Sequence, residues 1–338
     1  MGMARLAADR CSSSGLGRMS GRGNDQRSMT LDALWWSDGA AWGRGLRRSS
    51  FAMPEATELE EVTRWPGRSG ATAEISVLIP CWHGEETIGG ALDGVEAQQG
   101  LPERVGVEIV VVVDGRENDR RAVVRWIASK DRRRRWTITM VSLSHNRGAG
   151  GARKAGYRYC SGAFLAFLDD DDVWHPQKLA LQWGWHQANS ERIASGHGYG
   201  IPLGEHEVGF LRLLIGGYHL HNSTVLIRRS LWPYEPEPYR FSEDWLMLAM
   251  MARLQPINVL PHNLAGRSAA APEPMADVYS LTQQRRSLRL GKIRAAGVLI
   301  RRGQLSLIWL PPLMVWSVLL ALRRWLLDGW SAARAGAV

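Results

Sequence analysis

Four consecutive carboxylates, Asp169 to Asp172, follow directly on the apolar run AFLAFL at 163–168. Burying one unpaired carboxylate is costly, and four side by side repel one another. At the end of a run that reads as a buried strand, they need partners. A single Asp could cap the helix that begins near Pro176 in PQKLALQW. Capping uses one carboxylate, however, not four. A divalent cation could use more. On an extended segment residues i and i+2 point the same way, so Asp169 and Asp171 could share one ion and leave coordination positions for phosphate oxygens. On the local pattern an acidic turn and a metal site both stay open.

Three other stretches could carry chemistry. In HNRGAGGARKAG (145–156) Gly148, Gly150 and Gly151 allow close backbone approach, and the helix they open carries Arg153. A helix N-terminus favours anions. The stretch is neither a Walker loop nor a GxGxxG fingerprint, and a flexible turn is its plain alternative. In FSEDWLMLAMMARL (241–254) Glu243 and Asp244 open a helix, which Ser242 could cap. His219, His221 and Asn222 precede the strand-like STVLIRR and read as surface or packing residues, although this segment could line an acceptor pocket.

The elements that must position these residues alternate. EISVLIP (74–80), VEIVVVV (107–113), WTITMVSL (136–143) and AFLAFL (163–168) read as strands. Between them EETIGGALDGVEAQQ (85–99), DRRAVVRWIAS (119–129) and GGARKAGYRYC (150–160) read as helices, the first with Ile88, Leu92 and Val95 at helical spacing. Alternation of this kind implies an open, mostly parallel α/β sheet with helices on both faces. In such sheets ligands bind outside the carboxyl ends of the strands. Asp114 and Asp169–Asp172 therefore belong to the ligand-binding rim.

Taken together, ISVLIPCWHGEETIGGALDGVEAQ, EIVVVVDG, NRGAGGAR, FLDDDDVWHPQKL and FSEDWLMLAMMARL resemble, in order and spacing, the family-2 glycosyltransferases with the GT-A fold. The resemblance covers residues 73–262. It implies a nucleotide-sugar-binding set of Pro80, Cys81, Trp82, Glu85, Asp114, Arg153 and Asp170. It also implies that Asp169 and Asp171 carry Mg²⁺ or Mn²⁺ against the donor diphosphate, and that Asp244 is the general base. The chain departs from the family pattern in having Val113-Asp114 for a paired Asp-Asp, and Cys81, Trp82 and His83 for a small or hydroxyl residue, a Tyr and an Asn. The implied reaction is metal-dependent transfer of a sugar from a nucleotide diphosphate to an acceptor hydroxyl. A cation stabilises charge on the leaving diphosphate, and a carboxylate takes the acceptor proton. In-line attack implies inversion.

The chain has 338 residues, a net charge of +9 and 45% apolar residues. Its pI near 9.9 points to an acidic partner: nucleic acid, an anionic membrane surface or a phosphorylated ligand. A sugar-nucleotide nucleotidyltransferase is one alternative, but it expects a Gly-rich loop with Arg and Lys where CWHGEET stands. A basic nucleic-acid-binding protein is another. It explains the charge but not the carboxylates at the strand ends, so no nucleic-acid partner is expected. The three cysteines, Cys11, Cys81 and Cys160, show no zinc spacing, and no signal-peptide pattern opens the chain. The expected compartment is cytoplasmic.

The expected organisation is a flexible Gly/Ser/Arg-rich extension over 1–71, in which LDALWW (31–36) could form a short helix, then a catalytic domain over 72–262. A helical C-terminal segment follows over 263–338. From 278 to 338 there are ten cations and one acid, Asp328. The uncharged run 305–322 is marginal for a membrane span, and Pro311-Pro312 interrupts it. It reads either as helices packed on the domain or as a monotopic anchor on the inner face of the cell membrane, suited to a lipid-linked or cell-envelope acceptor.

Overall fold

A computed structural model describes residues 60–130, 134–201, 203–214, 220–231, 242–271, 295–303, 305–306, 311, 315 and 319. The expected short helix at 31–36, the extension up to residue 59, His219 and most of the apolar run 305–322 lie outside the described residues.

The chain order is β1 (Glu61–Trp65), β2 (Ala73–Cys81), α1 (Ile88–Glu96), β3 (Gly106–Asp114), α2 (Glu117–Lys130), β4 (Thr137–Leu143), α3 (Gly148–Tyr157), β5 (Phe164–Phe167), β6 (Asp172–Trp174) and α4 (Lys178–Ala188). It continues through β7 (Ala194–Tyr199), β8 (His206–Val208), α5 (Phe210–Leu214), a 3₁₀ turn at Asn222–Thr224, β9 (Leu226–Arg228), a 3₁₀ turn at Arg229–Leu231, α6 (Glu243–Leu254) and β10 (Ile257–Arg267). One sheet holds the strands in the order β1-β4-β3-β2-β5-β9-β7-β10-β6, with β8 on β10. The long central pairings, β4-β3-β2-β5, are parallel. Shorter antiparallel pairings flank them.

Alternate residues of the central strands feed two cores, and so helices cover both faces. Leu78, Val110, Val112, Val141 and Phe167 pack with Ala152 and Ala155 of α3 and with α6. Val77, Ile79, Ile109, Val111 and Met140 pack with Ile88, Leu92, Val123, Ile127, Leu179 and Trp183. Each such aliphatic side chain contributes roughly 1.5–3 kcal/mol through burial. Gly156 sets how closely α3 approaches the sheet: a Cβ there would stand 2.4 Å from Leu78 Cδ1.

The domain reaches further than expected at both ends. Residues 61–65, assigned to the flexible extension, form β1 and pair antiparallel with β4. β4 would otherwise be the open edge of the sheet. β10 runs through the expected boundary at 262 and on to Arg267. Pro261 interrupts its pairing with β7, where the register shifts between Val259 and Asn263. The expected strand in STVLIRR is a 3₁₀ turn followed by the short β9. Residues 295–301 are helical. Ala295, Ala296, Val298 and Leu299 pack into the core shared with α6. Among the described residues no helix is long and apolar enough to cross a membrane.

Candidate active site

The four carboxylates take four separate sets of partners. Asp169 Oδ1 accepts from Arg153 Nη2 at 2.7 Å, and the Asp169 N–H donates to Ser223 Oγ at 3.1 Å. Burial alone would push the Asp169 carboxyl up, but Arg153 and His221 outweigh it and hold it below the usual range. Asp170 Oδ2 accepts the Trp82 N–H at 2.9 Å. Burial, helped by the charges of Asp171 and Asp169, pushes its carboxyl up to about 8 against that hydrogen bond. Asp171 pairs with Arg267 at 3.3 Å. Asp172 accepts from Tyr199 Oη and Ser223 Oγ, each at 2.5 Å, and lies 3.3 Å from His221 Nδ1. Burial and the Asp169 charge push Asp172 up to about 6.

The grouping differs from the expected Asp169–Asp171 pair. The Asp172 N–H donates to the Asp169 carbonyl at 3.1 Å, so the run is a turn and not an extended segment. The turn carries Asp171 toward Arg267 and brings Asp172 round beside Asp169. One ligand atom from each of Asp169, Asp172 and His221 lies within 4.8 Å of the others. The buried Nδ1 of His221 has no hydrogen-bond partner. Two carboxylates and an imidazole fit a divalent cation. His221, read from the sequence as a surface or packing residue, is thus one of the site's candidate ligands. Its neighbour Asn222 is buried in the 3₁₀ turn.

The ends of β2 and β3 form the adjoining wall. Pro80 and Cys81 close β2 and are buried, and burial holds the Cys81 thiol well above its ordinary value. Trp82 is half-buried and meets the His83 ring edge-on at 4.4 Å. Gly84 is required next: a Cβ there would lie 2.2 Å from Asp170 Oδ2. Asp119, which the sequence reading passed over, accepts the N–H groups of His83 and Gly84, each at 3.0 Å. Burial, with Glu85 beside it, pushes Asp119 up to about 6. Glu85 itself pairs with Arg116 at 2.9 Å. Asp114 is buried and accepts from Asn146 Nδ2, Arg147 N–H and Gly148 N–H at 3.0, 2.7 and 2.9 Å. These bonds tie the Gly-rich loop to the end of β3.

Arg153 joins the acidic turn to the second acidic motif. Its side chain is 5% exposed, and its other arm donates to Glu243 Oε1 at 2.9 Å. Burial and the neighbouring Asp244 push Glu243 up to about 7. Ser242 stands at the N-cap of α6 in the left-handed region, at φ 60°, and its side chain does not cap the helix. Asp244 is half-buried, and its Oδ1 accepts the N–H of Trp245 at 2.7 Å.

Residues 76–240 match the family model described as Glycosyl transferase family 2. The domain belongs to glycosyl transferase family 2. Its relatives include the UDP-Glc:alpha-D-GlcNAc-diphosphoundecaprenol beta-1,3-glucosyltransferase WfgD of Escherichia coli, 31% identical over 32% of this chain and 39% of that protein. The succinoglycan biosynthesis protein ExoO of Rhizobium meliloti is 35% identical over 31% of this chain and 28% of its own. The chain therefore spans two fifths or less of the length of these two. The amylovoran biosynthesis glycosyltransferase AmsB of Erwinia amylovora is 26% identical over 51% of this chain and 59% of its own. Among solved structures, residues 1–349 of TarS from S. aureus align with a TM-score of 0.49 at 20% identity, over 68% of this chain and 72% of that one. In this glycosyltransferase domain the matched region contains the strand-end rim, the Gly-rich loop and the acidic turn, whereas Glu243 and Asp244 lie just beyond it.

Proposed function

We propose that the protein is a metal-dependent, inverting glycosyltransferase that moves a sugar from a nucleotide-diphosphate donor to an acceptor hydroxyl. The observation that carries the reading is the junction at Arg153, which holds the acidic turn and the Glu243–Asp244 pair against one guanidinium. One motif suits a leaving group that gains negative charge, and the other suits an acceptor that loses a proton.

Asp169, Asp172 and His221 would hold the divalent cation, which would offset the charge developing on the departing diphosphate. The buried Arg153 keeps Asp169 ionised for that purpose. Asp244 takes the acceptor proton. Trp82 offers an aromatic face to the base, and Asp119 fixes the turn that presents it. Asp114 and the loop it anchors form the floor on the nucleotide side. Pro80, Cys81, Glu85 and Asp170 shape the same wall.

The named activities and pathways of the relatives, a diphosphoundecaprenol-linked acceptor for one and succinoglycan or amylovoran synthesis for others, support a lipid-linked or cell-envelope glycan as acceptor. Such an acceptor calls for work at the inner face of the cell membrane. The test is a thermal-shift screen of UDP-, GDP- and TDP-sugars with and without Mn²⁺, followed by NMR assignment of the product anomer. A Mn²⁺-dependent shift with one donor class and an inverted product are expected. Transfer that survives chelation, or retention at the anomeric carbon, overturns the reading.

A further inference from the structure

The four carboxylates of the acidic turn are not held alike. Asp169, Asp170 and Asp172 are held by buried or backbone groups: the Arg153 guanidinium, the Trp82 amide and the Ser223 hydroxyl. Asp171 meets Arg267 at 3.3 Å, with the two side chains 34% and 44% exposed. Ion pairs this open to solvent are weak and exchange readily.

The backbone around this pair is fixed. Arg267 ends β10 in register with Asp172 of β6, and the Ser268 N–H donates to the Asp171 carbonyl at 2.8 Å. Arg267 is therefore anchored beside the acidic turn with its side chain partly open to solvent. A diphosphate approaching four carboxylates needs positive charge from the protein as well as from a metal. Arg153 has little to offer, since its two arms already serve Asp169 and Glu243. A guanidinium fork matches phosphate oxygens in bidentate fashion.

We propose that Arg267 is a diphosphate-binding residue of the donor site, held at rest by Asp171 and handed from that carboxylate to the donor phosphates. Asp171 is then a competitor for the arginine and not a cation ligand. The inference rests on the glycosyltransferase reading for the identity of the ligand.

The test uses inorganic pyrophosphate on the full chain with a chelator present, read by calorimetry, so that neither turnover nor metal enters. Arg267→Gln should weaken pyrophosphate binding about 10- to 100-fold, the worth of a charge-assisted contact. Asp171→Asn should strengthen it, and that gain should vanish in the double variant. Unchanged affinity in Arg267→Gln, a gain from Asp171→Asn that persists without Arg267, or no pyrophosphate binding by the wild type would each overturn the proposal. Circular dichroism checks that the variants fold. Failure of every sugar nucleotide to react, with the pyrophosphate pattern intact, would sink the glycosyltransferase reading alone.

Discussion

The Asp172 N–H donates to the Asp169 carbonyl at 3.1 Å, and this turn decides which carboxylates can share a cation. Asp172 is supported by Tyr199, Ser223 and His221, whereas Asp171 faces Arg267. Asp172→Asn should therefore weaken Mn²⁺ binding more than Asp171→Asn does. Removing a group that orients a metal ligand typically costs about 10- to 100-fold in affinity, and loss of a ligand should cost at least that. Titration of Mn²⁺ followed by electron paramagnetic resonance would show it. A larger loss from Asp171→Asn than from Asp172→Asn would restore the Asp169–Asp171 pairing.

The raised carboxylates set a pH dependence. An unfolded Asp titrates near 3.9. Asp170 in the native fold holds its proton up to about 8. Its contribution to stability is fully present below about pH 4 and is lost as the pH rises through about 8. Asp119, Asp172 and Glu243 act in the same direction up to about 6, 6 and 7. Buried Lys178, held well below its ordinary value, acts the other way, because its contribution is lost as the pH falls. The clean measurement is therefore a difference. Between pH 4 and 8 the melting temperature of metal-free Asp170→Asn should rise relative to wild type. A difference that stays flat across that range would mean Asp170 is ionised in the native fold.

The central strands were legible because burial on both faces requires continuous apolar runs, as in VEIVVVV of β3. β7 (ASGHGY) and β10 (INVLPHNLAGR) were not, since both carry Gly and His and β10 also carries Pro. The hydrogen-bonding partners of these strands come from distant parts of the chain. The rim was legible for the same reason as the strands that end on it: Asp114 and the acidic turn sit where a parallel sheet presents its ligands. What sequence could not show was the turn inside DDDD. Alternation describes an extended chain, and a turn across Asp169–Asp172 replaces i, i+2 neighbours by i, i+3 neighbours. His221 was invisible as a ligand because 49 residues separate it from Asp172 and only the fold joins them. Asp119 carried a faint signal, an acid close behind the Asp-Gly that ends β3, but nothing local showed that it would bond the turn after β2.

Arg153 is the residue whose loss should be felt furthest. Truncating one partner of a buried ionic cluster strands the other charges, at a cost of about 3–5 kcal/mol. Asp169 is 26% exposed, so solvent screens part of that cost and the lower end is expected for Arg153→Met. Arg153→Lys keeps the charge but cannot reach Asp169 and Glu243 with a planar fork, and it should recover only part of the loss. Urea unfolding of the two variants measures both. Full stability in Arg153→Met would mean that the two acidic motifs do not depend on their shared guanidinium.

Asp244 separates two readings of the start of α6. If it only caps the helix, Asn serves nearly as well, and Asp244→Asn should leave turnover almost unchanged. Asp244 Oδ1 accepts the N–H of Trp245, a first-turn amide of α6, and that bond fits either reading. If Asp244 is the base, Asn keeps its size and that hydrogen bond but cannot take a proton. Donor binding should then persist, because Asp169, Asp172 and His221 are untouched. Turnover should fall about 10²- to 10⁴-fold, the usual worth of a placed general base. Glu243 offers the internal control. Burial and Asp244 hold its proton up to about 7, so at pH 6 Glu243→Gln should change stability and rate little, whereas Asp244→Asn should lower rate. Turnover, donor affinity and melting temperature measured on both variants decide the matter, and near-normal turnover in Asp244→Asn removes it as the base.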